Sequence, residues 1–360
     1  MFGSRAAERL ARDPDLDLVL CGRNAERAEK AAAALNETAR AAISHAVIDA
    51  SSVDPRRIEA VGANIVIDAS GPFQTASYNL AKACIGARCH YIDLADARAY
   101  VTGITGLDDA ARGAGVLVAS GASSVPGLSS AVVAAYAGKF QCMRKLEIGI
   151  SPGNGFDPGL STMASVLSSV GQPIEILARG SRVTVYGWQG LRRRRIGGAG
   201  ERWLGYVDVP DLELFPKAYP DLESVSFQAG LELSLFHFFA WASSRPVRAG
   251  LIRSLAPLAP ALLAVKRSLN RFGGDVGGMF VTMYGIGPDG RDIEVNWELT
   301  AGSGHGPYVP TLASTALAKR LARGAEHARG AKPCFGLVPL ADFEAERDGL
   351  DISWGQTQRP

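Results

Sequence analysis

Four short polar segments, each placed after an apolar run, hold the side chains in this chain that could do chemistry. Gly22-Arg23-Asn24 follows Leu18-Val19-Leu20. Arg23 offers a planar fork of donors suited to a phosphate monoester, and no carboxylate stands beside it to accept from a ribose diol. Asp49 closes a second run, His45-Ala46-Val47-Ile48. A third run ends in Asp68-Ala69-Ser70-Gly71-Pro72-Phe73-Gln74. There small residues let a flat ring or a ribose approach the backbone, Gly71 supplies unusual dihedrals and Pro72 removes a donor. Tyr91 and Asp93 end a fourth run; two residues apart on a strand they share one face, where a hydroxyl and a carboxylate can relay a proton. Each feature also has a plainer role. Asn24 can cap the next helix with Arg23 in solvent, Phe73 can pack on a bound ring or anchor the helix below, and Asp93 can be a cap with Tyr91 in the core.

The elements that must position these residues follow a repeating order. Helices are expected over 5–11, up to about 35, 55–61, 75–85 and 107–113, and strands over 16–20, 45–48, 63–67, 90–94 and 116–119. Near-continuous apolar strands alternating with helices predict a parallel sheet covered on both faces, whose ligands lie beyond the carboxyl ends of the strands. Arg23, Asp49, Ser70, Asp93 and the 121–123 segment fall at those ends. Gly3 stands at the opening of the first helix, where the third glycine of a dinucleotide-binding turn belongs. A phosphorylated dinucleotide, NADP rather than NAD, is the cofactor expected from Arg23.

After Pro126 the rhythm changes. A linking helix over 128–136 precedes alternating segments at 146–150, 181–188, 278–285 and 293–300, with a turn at Pro288-Asp289-Gly290. These predict a second α+β domain on a mixed, largely antiparallel sheet. A last helix over 310–323 ends at Gly324 with basic residues in its final turns. The expected domains are 1–125 for the cofactor, 126–304 for substrate and dimerisation, 305–345 returning to the cofactor domain, and a polar, frayed tail over 346–360.

The 360 residues suffice for two cores, and a net charge of +2 with 21% charged residues gives no electrostatic argument for nucleic acid. Arg192 to Arg195 form the one basic run, read as a solvated loop. Five cysteines show no zinc-ligand spacing, so no metal is expected; an odd count without a signal peptide reads as reduced thiols in a cytoplasmic protein. The apolar stretch 231–265 is interrupted by arginines and prolines. It reads as a buried helix pair or a dimer face in preference to an interfacial membrane contact. His305, in a glycine-rich segment, reads as a flexible surface residue.

Three longer motifs carry a resemblance. They are Val66 to Gln74 (VIDASGPFQ), His90 to Asp96 (HYIDLAD) and Gly121 to Ser129 (GASSVPGLS), joined by Tyr186 to Leu191 and Gly306 to Thr311. With them the chain resembles the saccharopine dehydrogenase-like NADP-binding oxidoreductases, in a bacterial branch. The resemblance implies a Rossmann domain, a substrate domain on a mixed sheet, and a return of the chain to the first domain from about Pro310. Family members begin with a strand and a turn of the form Gly-Gly-Tyr-Gly-x-Phe-Gly, of which only Phe2-Gly3 stands here. A central strand left out would strand buried N–H and C=O groups at about 1–3 kcal/mol each. A start upstream of Met1 is therefore expected, with a decayed product as the competing explanation.

The function expected is hydride transfer to or from a carbon bearing an amine, imine or carbonyl, on a small-molecule substrate the sequence does not identify. Related aldehyde dehydrogenases carry a nucleophilic cysteine, but none lies between Cys89 and Cys142, which argues against thioester chemistry. Arg193 and Arg194 are the nearest candidates to clamp a substrate carboxylate. The alternative is a non-catalytic protein that binds nucleotide or a partner, at a membrane surface through 231–265.

Overall fold

The structure, a computed structural model, describes residues 2–155 and 157–359. The chain opens with α1 (Phe2–Leu10), β1 (Asp17–Gly22), α2 (Ala25–Asn36), β2 (Ala42–Val47), α3 (Pro55–Val61) and β3 (Ile65–Asp68). It continues through α4 (Asn79–Gly86), β4 (His90–Asp93), α5 (Arg98–Gly103), α6 (Asp108–Ala114) and β5 (Leu117–Ser120). Then come α7 (Ser129–Ala137), β6 (Cys142–Ser151), α8 (Gly159–Ser169), β7 (Pro173–Ala178), β8 (Ser181–Tyr186), β9 (Arg192–Ile196) and β10 (Gly200–Tyr206). They are followed by α9 (Asp211–Ala218), β11 (Ser224–Gly230), α10 (Ser234–Arg248), α11 (Ala259–Ser268), β12 (Gly277–Ile286) and β13 (Asp292–Ala301). The last elements are α12 (Leu312–Ala322), β14 (Gly330–Pro333), α13 (Leu340–Glu346) and β15 (Ile352–Arg359).

These elements form two compact units, residues 1–128 with 310–346 and residues 129–309 with 347–360. The first is a Rossmann-like α/β unit with parallel strands. Local signals explain its start and stop points. At α3, Asp54 caps the helix by accepting from the Arg57 amide at 3.0 Å, Pro55 stands in the first turn, and Gly62 ends the helix in the left-handed conformation at φ 71°. The strands fall in two sheets: β1 pairs with β2, and β3, β4, β5 and β14 form a second, parallel sheet in the order β14-β5-β4-β3. Among the described residues β1 and β3 each pair on one side alone, and their apolar positions stay half-exposed where β5 is buried throughout. Tyr91, Val118, Ile104, Leu80 and Cys84 meet in one core between the second sheet and its helices. Residues 310–346 supply β14, α12 and α13; α12 seats so closely on the 121–128 turn that a Cβ on Gly127 would lie 2.8 Å from that of Ala313.

The second unit is a mixed sheet of nine strands, with β15-β13-β12-β6-β11-β10-β9 as its main order and β7–β8 joined to β11. Only β6 and β11 run parallel among its pairs; the others are antiparallel. Trp297 is fully buried on β13, its ring 5.8 Å from that of Trp354 on β15. Buried Asp211, at the first turn of α9, accepts from the Ser129 hydroxyl.

Three expectations need correction. The tail is not frayed: Ile352 to Arg359 pair with β13 over eight residues, because Ile352 and Trp354 turn to the apolar face while polar residues between them face outward. Arg192 to Arg195 are strand β9 rather than a loop. Alternation sends Arg192 to Glu147 at 2.8 Å, while Arg194 reaches Thr282 and Asn296 at 2.7 Å and stacks 3.7 Å from the Phe280 ring. Arg193 pairs with Glu201. Burial pushes Glu147 up, yet Arg192 and Lys145 outweigh it and hold its carboxyl below the usual value. His305 is likewise anchored, its Nδ1 accepting from the Asp351 amide at 2.8 Å.

Candidate nucleotide-binding site

The carboxyl ends of the parallel strands are built on one repeated device. An aspartate at or just past the strand end folds back to accept from the amide two residues on, an Asx turn that ends extended backbone without leaving that amide unpaired. Asp49 accepts from the Ser51 amide at 2.9 Å and its hydroxyl at 2.7 Å. Asp68 does the same with Ser70, at 2.9 and 2.6 Å. Asp93 accepts from the Ala95 amide at 3.0 Å.

Asp93 does more than its two counterparts. The same oxygen, Oδ1, also accepts from the Ser120 hydroxyl at 3.0 Å and the Gly121 amide at 2.8 Å, tying β4 to the end of β5. Its Oδ2 is buried with no partner. Burial is the largest influence on this carboxyl and raises it to about 7, against the pull of its three donors. Tyr91 shares its face of the strand and is also fully buried; its hydroxyl donates to Asp68 Oδ2 at 3.0 Å and lies 3.4 Å from that of Tyr100. Burial, then the carboxylates of Asp93 and Asp68, push this phenol well above its ordinary value.

Phe73 is buried, its ring 5.3 Å from that of Tyr100, and so anchors the turn after β3. Ser70 and Pro72 are exposed above it. Gly71 departs from expectation: it does not use the left-handed region, and a Cβ there would make ordinary contact with the Phe73 ring at 3.4 Å. The glycine that needs its freedom is Gly121, at φ 81°, where a Cβ would meet Pro126 at 2.7 Å and Val101 at 3.1 Å.

At the other end of the row, Gly3 lies in the first turn of α1, where a Cβ would sit 3.2 Å from that of Ala69. That close approach of helix to strand end is what a third glycine of a dinucleotide turn permits. Arg23 is exposed past the end of β1 and near enough to Asp49 to add, after the Ser51 hydrogen bonds, to the lowering of that carboxyl. Asn24 is the N-cap of α2, its Oδ1 accepting from the Arg27 amide at 2.8 Å. Asn24→Ala is therefore expected to cost about 1 kcal/mol of stability, recovered by Asn24→Ser; a urea melt of the three proteins measures it.

Sequence reasoning gave no separate role to Asp68, Tyr100 or Gly121, although it placed the 68–74 and 121–123 segments at the strand ends. A signal for the first was visible, since Asp68-Ala69-Ser70 repeats the spacing of Asp49-Ala50-Ser51. Tyr100 lies on α5, six residues long and too short to show a helical period.

The chain thus combines a parallel-stranded α/β unit, an α+β unit on a mixed sheet, and a late return of residues 310–346 to the first. Residues 1–118 match the family model described as saccharopine dehydrogenase NADP binding domain. The fold is that of apo saccharopine dehydrogenase (L-Glu forming) from Saccharomyces cerevisiae, with a TM-score of 0.68 at 12% identity over 100% of this chain and 98% of that one. An amine dehydrogenase from Mycobacterium smegmatis also aligns, over 94% of this chain and 93% of its own, at 11% identity and a TM-score of 0.46. No curated protein matches the sequence.

Proposed function

We propose that the protein is an NADP-dependent oxidoreductase that moves a hydride to or from a carbon bearing an amine, imine or carbonyl. The observation that carries this reading is Arg23, exposed at the end of β1 with no carboxylate in its place. A guanidinium there suits a 2′-phosphate, where an NAD site would present an acid to the ribose.

The residues present fit such a cofactor. Arg23 would hold the 2′-phosphate, Gly3 lets the first turn of α1 come close to the strand ends, and exposed Ser70 and Pro72 leave a low surface past β3. A bound nicotinamide would supply the hydride donor or acceptor. Tyr91 and Asp93 enter as positioning residues. Both are fully buried, and through Asp68, Ser120 and Gly121 they fix the ends of β3, β4 and β5 against one another. Orientation of this kind, with water excluded beneath, is the protein's share of a hydride transfer.

Calorimetric titration with NADPH and NADH tests the reading, and NADPH is expected to bind more tightly. Binding of neither would favour a non-catalytic partner-binding protein, a reading supported by the burial of both candidate acid–base side chains. Loss of nicotinamide absorbance with a 2-oxo acid and ammonia, or with an aldehyde, would remove that rival.

A further inference from the structure

Eight of the eleven large apolar side chains left exposed among the described residues lie between Leu235 and Phe272, on α10, α11 and the turns that follow each. On α10, Leu235, Phe238, Phe239 and Ala242 recur at i, i+3, i+4 and i+7 and form one exposed face, opposite the buried face of His237, Ala240, Ser244 and Val247. On α11, Ala261 and Val265 face outward in line with Leu258 just before the helix, opposite Ala259 and Leu263. Leu251 and Ile252 project from the intervening turn, Leu251 being 80% exposed. Both helices thus bury one side in a shared apolar cluster with Leu167 and Trp188 while presenting a second apolar row outward.

Arginine dominates the charge around these rows. Between Glu232 and Asp275 the sequence contains no aspartate or glutamate. It contains Arg245, Arg248, Arg253, Arg267 and Arg271, all exposed, while Lys266 is buried. Arg245 lies 3.7 Å over the Trp241 ring and Arg271 4.7 Å over the Phe272 ring, which brings these guanidinium groups level with the apolar side chains. Arg267 is met by Asp157 at 2.7 Å, and Glu232 is bound by the Asn154 and Gly274 amides.

We infer that this helical hairpin docks the protein on an anionic phospholipid surface. Leucine, isoleucine and phenylalanine would enter the headgroup boundary while arginines, their stems along the apolar surface, would reach lipid phosphates. A second copy of the chain suits the face poorly, since it would bring Arg245, Arg253 and Arg271 against the same arginines, Asp157 being taken up by Arg267. The contact lies on the membrane without crossing it: among the described residues no helix is long and apolar enough to span a bilayer.

Cosedimentation of the full chain with vesicles decides the matter, comparing pure phosphatidylcholine with a mixture holding roughly one-third phosphatidylglycerol. Binding is expected on the anionic vesicles, weakened by salt, and about fivefold lower for each of Arg245→Ala and Arg253→Ala. Leu235→Ser with Leu251→Ser should lower it more than about tenfold while leaving the thermal melt in place, since these side chains are 67% and 80% exposed. Equal binding to neutral and anionic vesicles, or binding to neither, would overturn the inference. A dimer dispersed by the same double substitution, with no vesicle binding, would overturn it in favour of self-association.

Discussion

Arg23→Ala should weaken NADPH binding by about 10- to 100-fold while leaving NADH within about threefold. The estimate follows from a charge-assisted, forked hydrogen bond to phosphate, worth about 1.5–3 kcal/mol net. The guanidinium is exposed past β1, with Asp49 as its charged neighbour, so its removal takes away a ligand contact and little packing. Asp49, on the neighbouring strand end, stays charged because its Ser51 hydrogen bonds hold its carboxyl low. An acid so placed makes a second anion costly unless a cation stands with it, which makes the arginine the deciding group. Arg23→Lys should recover part of the loss, since an ammonium keeps the charge without the fork. Calorimetry with both nucleotides measures all of this, and an equal loss for NADPH and NADH would remove the 2′-phosphate role.

Asp93→Asn should abolish a pH dependence of stability. The folded-state carboxyl titrates at about 7 against an ordinary 3.8. Below about pH 4 both folded and unfolded chains hold the proton. Between there and pH 7 only the folded chain does, so stability contributed by this group falls as pH rises and levels off above 7. The slope is up to about 1.4 kcal/mol per pH unit, on the order of 4 kcal/mol in all. Asp211, also raised to about 7 by burial, adds a slope of the same sign. His237, lowered to about 4 by burial, opposes them, because its unfolded form takes up a proton first as pH falls through 6.5. The measurement is therefore the difference in urea-unfolding free energy between wild type and variant across pH 4 to 8. A merely structural role for Asp93 would give a difference independent of pH.

The sequence revealed the first unit well because its signals are local. The helix expected over 55–61 is α3 to the residue, and the apolar runs at β4 and β5 read as buried parallel strands. The second unit was less legible because its strands are polar or exposed on one side. β8 is exposed at four of six positions, and β9 is four arginines and an isoleucine, with the partners of Arg192 and Arg194 on β6, β12 and β13. Its one parallel pair, β6 with β11, joins residues more than seventy apart, a match no local pattern encodes. At the site, alternation placed Tyr91 and Asp93 on one face, but periodicity is silent on whether that face looks outward. The expectation of an unusual dihedral fell on Gly71, whereas crowding by Pro126 and Val101, brought there by the fold, assigns it to Gly121.

The order of segments along the chain has a consequence for synthesis. Among the described residues β14 is the only partner of β5 on its far side, yet it is translated after the whole of residues 129–309. At ribosomal speeds that interval is on the order of 10 to 40 s. Throughout it the nascent first unit carries an open β5 edge, with hydrogen-bonding groups able to recruit a stray strand. Chaperone occupancy on this protein should thus peak while the middle of the message is being read, and fall once Gly330 to Pro333 have left the exit tunnel.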